Sequence, residues 1–402
     1  MRIAVLLTSL GIGGAERQAI AVAERLALRG HHVRLYSLLN EQLEQWPTSL
    51  PVTYLQLKPG LLSIPAAWSR GARALRSFQP DVIHGHCFHG NMFARLVGLA
   101  SPRALVVSTV HNVYEGGRGR MLMYRLTDRL SHRTAFVCEA GATRYSDLRA
   151  VSRRRVNFAP NGIDLNNFQP HPERRARFRN SLGRADEFLW VAVGRLSPAK
   201  DYPNLLRAFS LLHREEPSSR LWIVGQGTDN SLSQLQCLSQ QLGVANSVQW
   251  LGLRRDTAGF LDAADGFVLA SAWEGMPLVL AEAMAMGKPC VATDVGGVRQ
   301  LAGDCALVVP AANPEELAEA MLQTMREVVQ GTELRSQDAR GRIEQNFTLE
   351  RATTGWESLY AQGKSRPDRL PAGSPQPDTR SNGVPGEGGC GPGAEERSVV
   401  VD

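Results

Sequence analysis

The sequence predicts an α/β protein made of two doubly wound domains, each a parallel sheet with helices on both faces. Three observations carry that expectation. Short apolar runs alternate with longer amphipathic ones, the pattern of βαβ units. The series starts twice, at Arg2 and again at Phe188. A length of 402 residues exceeds one ordinary core and suits two.

Arg2 to Thr8 reads as the first buried strand, so no cleavable leader is expected ahead of it. Glu16 to Leu28 follows as a helix ending at Gly30. Further strands are expected near 32–38, 52–57, 81–85, 105–110, 134–138 and 155–159, with helices between them. The segment Asn161-Gly-Ile-Asp-Leu-Asn-Asn-Phe-Gln-Pro170 is rich in turn formers and marks the start of an interdomain linker. The second series has strands near 188–194, 220–224, 247–251, 265–270, 289–293 and 306–309. A helix from Leu349 to Ala361, carrying Trp356 and Tyr360, reads as a closing element. From Gly363 onward 14 of 40 residues are Gly or Pro, a composition that cannot bury enough surface to offset chain entropy, so a disordered tail is expected. The domain boundaries are drawn at 1–165, 166–345, 346–362 for the closing helix and 363–402 for the tail.

Composition narrows the class. Hydrophobic residues make up 43%, and no run of 18 or more is apolar and uncharged enough to span a bilayer. Six cysteines are scattered without a C-x-x-C pair, which argues against a zinc site or a disulfide framework and for a reducing cytoplasm. The net charge of +6 hides an asymmetry: residues 1–170 hold 21 Lys and Arg against 10 Asp and Glu. Most are arginines at helical spacing, among them Arg70, Arg73, Arg76, Arg118, Arg120, Arg125 and Arg129. Such a face attracts anionic lipid at ~1 kcal/mol per basic residue. It could also be an ordinary solvated face; nucleic acid is disfavoured, because no reader motif accompanies it and aromatics are only 6%.

Four segments carry chemistry. In Ser271-Ala-Trp-Glu-Gly-Met-Pro-Leu-Val-Leu-Ala-Glu282 a strand stops, Glu274 lies in a loop, and Pro277 fits the first turn of a helix that carries Glu282 and closes at Gly287. Gly275 and Met276 would present backbone N–H groups at the positive end of that helix, a seat for phosphate or sugar oxygens that continues into Leu278. Gly11, Gly13 and Gly14 lie between the first strand and first helix, where open α/β sheets bind ligands. Glu16 stands where a dinucleotide fingerprint needs its third glycine, which argues against a Rossmann oxidoreductase, as does the lack of an acidic residue near Ser37. Gly194-Arg195 and Lys200 follow the first strand of the second domain, an arginine fork and a flexible ammonium that together suit a diphosphate. His111 follows the strand ending at Val110. His84, His86 and His89 crowd the preceding loop without a carboxylate or cysteine cluster, so hydrogen bonding at the core edge is expected there rather than a metal.

Taken together, these segments resemble the retaining nucleotide-sugar glycosyltransferases of family 4. Glu274 and Glu282 match the E-x7-E signature, Gly-Gly-Ala-Glu-Arg17 the first loop, Gly194-Arg-Leu-x3-Lys-Asp201 the phosphate clamp, and Pro160-Asn-Gly-Ile-Asp164 the hinge. Leu251 to Asp256 resembles the stretch beside the nucleobase, and Gly225-Gln-Gly227 a loop near it. Cys138 departs from the family's Val-Ser-Glu-Ala, leaving the serine's hydrogen bond without its hydroxyl. The resemblance covers residues 1–361 and implies a GT-B architecture of two Rossmann-like domains facing across a cleft, with the last helix crossing back to the first. It implies an acceptor-binding first domain and a donor-binding second. Glu274 and the N–H groups after it would hold the sugar, Glu282 the ribose, and Arg195 with Lys200 the departing diphosphate, with His111 facing the donor sugar. No D-x-D sequence occurs, so the protein's cations are expected to replace a metal, and no cofactor is expected. The implied acceptor is a glycan or lipid-linked unit of lipopolysaccharide or exopolysaccharide at the inner face of the cytoplasmic membrane. A nucleotide-sugar epimerase on the same fold is the alternative, and a catalytically silent scaffold a further one.

Overall fold

A computed structural model describes residues 1–40, 46–58, 60–180, 187–332 and 335–363, so the tail expected to be disordered lies, from residue 364, outside the described residues. The first domain runs β1 (Arg2–Leu7), α1 (Gly14–Leu28), β2 (His32–Ser37), β3 (Val52–Tyr54), α2 (Ile64–Phe78), β4 (Val82–His86), α3 (Cys87–Gly98), β5 (Leu105–Val110), α4 (Arg118–Thr127), β6 (Arg133–Phe136), α5 (Glu139–Asp147) and β7 (Val156–Phe158). The second runs α6 (Pro172–Asn180), β8 (Phe188–Val193), α7 (Tyr202–Glu215), β9 (Ser219–Val224), α8 (Asp229–Gln241), β10 (Val248–Gly252), α9 (Thr257–Ala263), β11 (Gly266–Leu269), α10 (Leu278–Ala285), β12 (Cys290–Thr293), α11 (Val298–Ala302), β13 (Leu307–Val309), α12 (Pro314–Val329) and α13 (Arg335–Asn346), before α14 (Leu349–Ala361) ends the described chain.

Strand order is β3-β2-β1-β4-β5-β6-β7 in the first sheet and β10-β9-β8-β11-β12-β13 in the second. Each paired neighbour is parallel, as right-handed βαβ crossovers require. Parallel strands are covered on both faces, which is why β1, β5 and β8 are almost wholly apolar. The two-sided burial places Val5, Leu35 and Val107 under α1 and α14, and Leu6, Ile83 and Phe93 on the opposite face.

The strand order reverses between β1 and β4 in one sheet and between β8 and β11 in the other. Chains leaving the carboxyl ends of adjacent strands diverge there and leave a crevice. The glycine loop after β1, the Arg195 loop after β8 and the Glu274 loop after β11 therefore all open at these two points.

The chain passes between the two sheets twice, and the two passages pair. Ile163 donates to Phe347 O at 2.8 Å and Leu349 donates to Ile163 O at 2.9 Å. Helix α14 then packs along α1, burying Trp356 and Tyr360. Arg29 fastens it, donating to Glu357 at 2.5 Å and to Glu350 at 2.5 Å.

Candidate active site

Glu274 stands at the carboxyl edge of β11, 8% exposed. Its Oε1 accepts from Lys200 Nζ at 2.5 Å and from Ser271 Oγ at 2.7 Å. Ser271 is held in turn through its carbonyl, which accepts from Thr293 Oγ1 at 2.7 Å. Lys200 arrives from the loop after β8 by lying along Gly194, where a Cβ would come within 2.9 Å of Lys200 Cε. Arg195, next in sequence, is exposed, and its charge acts across the domain boundary on Glu16 of the first domain. Burial nonetheless holds the Glu16 carboxyl above the usual carboxylate range, Arg195 opposing it.

The first domain reaches the same loop from the other side. Asn112 forms an isolated antiparallel bridge with Gly275. A Cβ on Gly275 would lie 1.9 Å from His111 O, so only glycine permits this approach. The carbonyl of Gly275 accepts from Gly297 N–H at 2.7 Å, and a Cβ on Gly297 would meet Cys138 Cβ at 2.6 Å. Tyr114 meets Trp273 edge to face at 5.8 Å.

His111 is neutral at pH 7, because burial pushes it down to about 4. Its Nε2 lies 2.9 Å from His86 Nδ1, one N–H shared between two neutral rings. Its Nδ1 is buried without a partner among the described residues. The His86 ring lies tilted against that of His84, centroids 4.0 Å apart, and His84 is locked between Tyr360 Oη at 2.7 Å and Thr109 Oγ1 at 2.6 Å. The sequence expectation of core-edge hydrogen bonding describes this cluster, which joins α14 to His111.

Helix α10 begins at Leu278, with Pro277 as its N-cap rather than within its first turn, and Gly287 follows its end at a φ of 63°. Met276 turns toward the hinge, where its carbonyl accepts from Asn161 Nδ2 at 3.0 Å. Glu282 is 1% exposed and pairs with Arg17 of α1, while its Oε2 has no partner among the described residues. Burial pushes Glu282 up to about 7, with Arg17 opposing the shift. Beside it opens a cavity of ≈ 490 Å³, lined among others by Arg17, Asp164, Arg255, Asp256 and Leu278. Gly14 opens α1 and faces Leu278, a Cβ there being 3.6 Å from Leu278 Cδ1.

Residues 12–167 match the model of Glycosyltransferase Family 4, and residues 187–327 that of Glycosyl transferases group 1. The chain belongs to glycosyltransferase family 4. The UDP-Gal:alpha-D-GlcNAc-diphosphoundecaprenol alpha-1,3-galactosyltransferase of Escherichia coli is 27% identical over 236 residues, 56% of this chain and 60% of that protein. The match thus spans less than two thirds of that relative's length. The putative teichuronic acid biosynthesis glycosyltransferase TuaC of Bacillus subtilis (strain 168) is 31% identical over 261 residues, 63% of this chain and 64% of that one. Anabaena HepE, solved with UDP and glucose, superposes with a TM-score of 0.79 at 21% identity, covering 90% of this chain and 99% of that one. WaaG, a glycosyltransferase involved in lipopolysaccharide biosynthesis, does so at 0.72 and 19% identity, over 90% of this chain and 100% of that one. These superpositions establish the GT-B fold.

In this family 4 chain the structure gathers His111, Lys200, Glu274 and Gly275 at one point, with Gly194 and Arg195 at its edge. Gly14, Leu278 and Glu282 form a second group, one helical turn along α10, with Arg17 between the domains. Sequence reading missed several supports of the site. Ser271 gives no signal of its own in the sequence, being one small polar residue at the end of an apolar run. Gly296 and Gly297 underlie the Glu274 loop, and only their adjacency at the end of β12 signals it. Glu115 is the least legible: its Oε1 accepts from His111 N–H at 3.3 Å and its Oε2 from Tyr124 Oη at 2.8 Å. Burial pushes it up to about 7, against those hydrogen bonds and Arg120.

Proposed function

We propose that this chain transfers a sugar from a nucleoside diphosphate donor to a hydroxyl of a glycan or lipid-linked acceptor, with retention of anomeric configuration. Lys200 and Glu274, meeting at 2.5 Å beside the exposed Arg195, carry the reading. Negative charge grows on the leaving diphosphate as the glycosidic bond breaks, and cations fixed there before reaction stabilise it without reorganising. The start of α10 adds its dipole. Glu274, held by Ser271 and Lys200, serves as a hydroxyl acceptor for the sugar. His111, neutral and with an Nδ1 that has no partner among the described residues, serves as a hydrogen-bonding partner on the opposite side. Glu282, whose Oε2 beside the cavity has no partner among the described residues, is assigned the ribose hydroxyls.

Uridine diphosphate is the first donor to test, since the Escherichia coli relative is named for UDP-Gal and HepE was solved with UDP. Lipopolysaccharide or exopolysaccharide assembly is the assigned setting, supported by relatives named for teichuronic acid and a diphosphoundecaprenol acceptor. No metal is assigned a role: Lys200 and Arg195 are assigned the charge stabilisation that a metal would otherwise supply. Incubation with UDP-sugars and a polyprenyl diphosphate glycan primer, in EDTA, should give a product whose anomeric proton by NMR matches the donor's configuration. An inverted product would contradict retention. Conversion of the donor sugar without primer would favour an epimerase.

A further inference from the structure

Of the arginines that make the first domain basic, many are spent on the fold. Arg70 donates to Leu55 O and Gln56 O at 2.8 and 3.0 Å, Arg120 to Glu115 O at 2.6 Å, and Arg155 to Asp128 at 2.8 Å. Arg95 and Arg133 are buried. Helix α4 differs. Its sequence, RGRMLMYRLT, has no acidic residue, and Arg118, Arg125 and the following Arg129 are exposed without an ion pair among the described residues.

The same helix exposes its large apolar side chains: Leu122 at 54%, Met123 at 44% and Leu126 at 69%. Leu122 and Leu126 are four residues apart and lie one above the other, with Arg118 one turn before them and Arg129 just beyond. Tyr124 points the opposite way and is fully buried. An exposed leucine is ordinary, but three large apolar side chains on one short helix, rimmed by unpaired arginines, make an amphipathic face turned outward.

This face is fixed to the site. Tyr124 Oη donates to Glu115 at 2.8 Å and accepts from Asn91 Nδ2 at 2.9 Å, while Glu115 accepts from His111 N–H. Only the six residues 112–117 separate His111 from the start of α4.

We infer that α4 is a membrane-docking surface, inserting Leu122, Met123 and Leu126 among the acyl chains of an anionic bilayer while Arg118, Arg125 and Arg129 hold the headgroups. The occupant follows from charge complementarity and from side-chain length: apolar tips at the centre, cations at the rim, and no acidic group to repel phosphate. Docked in this way, the loop that carries His111 lies against the membrane surface, where a lipid-linked acceptor presents its hydroxyl. The inference rests on the acceptor class proposed above, so vesicle binding is measured without donor or acceptor, and donor binding separately.

The full chain is sedimented with vesicles of phosphatidylglycerol and phosphatidylcholine, and with phosphatidylcholine alone, at 0.15 M salt. Binding to the anionic vesicles is expected. The double variant Leu122→Ser with Leu126→Ser should weaken it on the order of tenfold or more, and each of Arg118→Gln, Arg125→Gln and Arg129→Gln about fivefold. All these positions are exposed, so the variants should keep the wild-type melting temperature. Equal sedimentation of wild type and the double leucine variant, or none with any vesicle, would overturn the inference. So would a dimer in light scattering that the leucine variant dissolves, since the face would then bind a second copy. Loss of vesicle binding with UDP binding intact separates this surface from the donor site.

Discussion

Lys200 Nζ and Glu274 Oε1 lie 2.5 Å apart, although 74 residues separate them in sequence. The pair joins the loop that follows β8 to the loop that follows β11, the two strands flanking the switch point of the second sheet. A cation for the leaving group and an acceptor for sugar hydroxyls are thereby fixed in one contact.

Lys200→Ala should lower kcat/KM by roughly 10²- to 10³-fold, the scale of removing one preorganised charge stabiliser. Glu274→Gln keeps the shape and the Ser271 contact but removes the charge. It should cut turnover as well, while leaving the melting temperature within a few degrees of wild type. Near-full turnover in Glu274→Gln would remove any essential role for that carboxylate.

Gly275→Ala tests the contact between domains. A Cβ would lie 1.9 Å from His111 O, a backbone atom that cannot rotate away. The variant should fold, because each domain has its own core, but lose the Asn112 bridge. Transfer should fall sharply with a cost in stability of about 1–3 kcal/mol. Wild-type transfer would mean that closure at this point is not part of the reaction.

The pH dependence of stability has a definite sign. Glu115, pushed up to about 7 by burial, binds its proton more tightly folded than unfolded, so it makes stability fall as pH rises from about 4.5 to about 7. His111, pushed down to about 4, acts in the opposite direction, making stability rise between about 4 and 6.5. Glu115→Gln removes the first contribution only. Its melting temperature should therefore gain on wild type progressively from pH 5 to pH 7.5. A constant difference across that range would contradict the burial of a titrating carboxyl.

Trp356→Ala should destabilise by about 3–5 kcal/mol, the usual cost of a large buried aromatic. Trp356 is 4% exposed and packs on His84 at 4.5 Å. Because His84 supports His86 and so His111, activity should fall more than the loss of folded protein explains. Urea unfolding with parallel kinetics reads both.

The fold was legible because burial on both faces writes itself as apolar runs. Each of the thirteen described strands falls where a strand is expected, although β3, β7 and β13 are short and not fully buried, and the second start at Phe188 marks the second sheet. Where β6 ends early, at Phe136, Val137 and Cys138 have left the sheet, Cys138 serving as N-cap of α5. The site was legible where one segment holds several functional groups, as in Ser271 to Glu282. It was illegible where a group acts through a partner far along the chain. Nothing near Arg17 announces that it pairs with Glu282, 265 residues away. Nothing around Glu115 announces that its carboxyl joins His111 to Tyr124.

Calorimetric titration with UDP-sugars, GDP-sugars and ADP-sugars, in EDTA and beside a Lys200→Ala control, asks whether the Lys200–Glu274 site holds a donor. Binding of one nucleotide class without metal, weakened tenfold or more in the control, is the predicted result. Equal affinity in both proteins, or no binding of any nucleotide sugar, would contradict the assignment of this site to the donor.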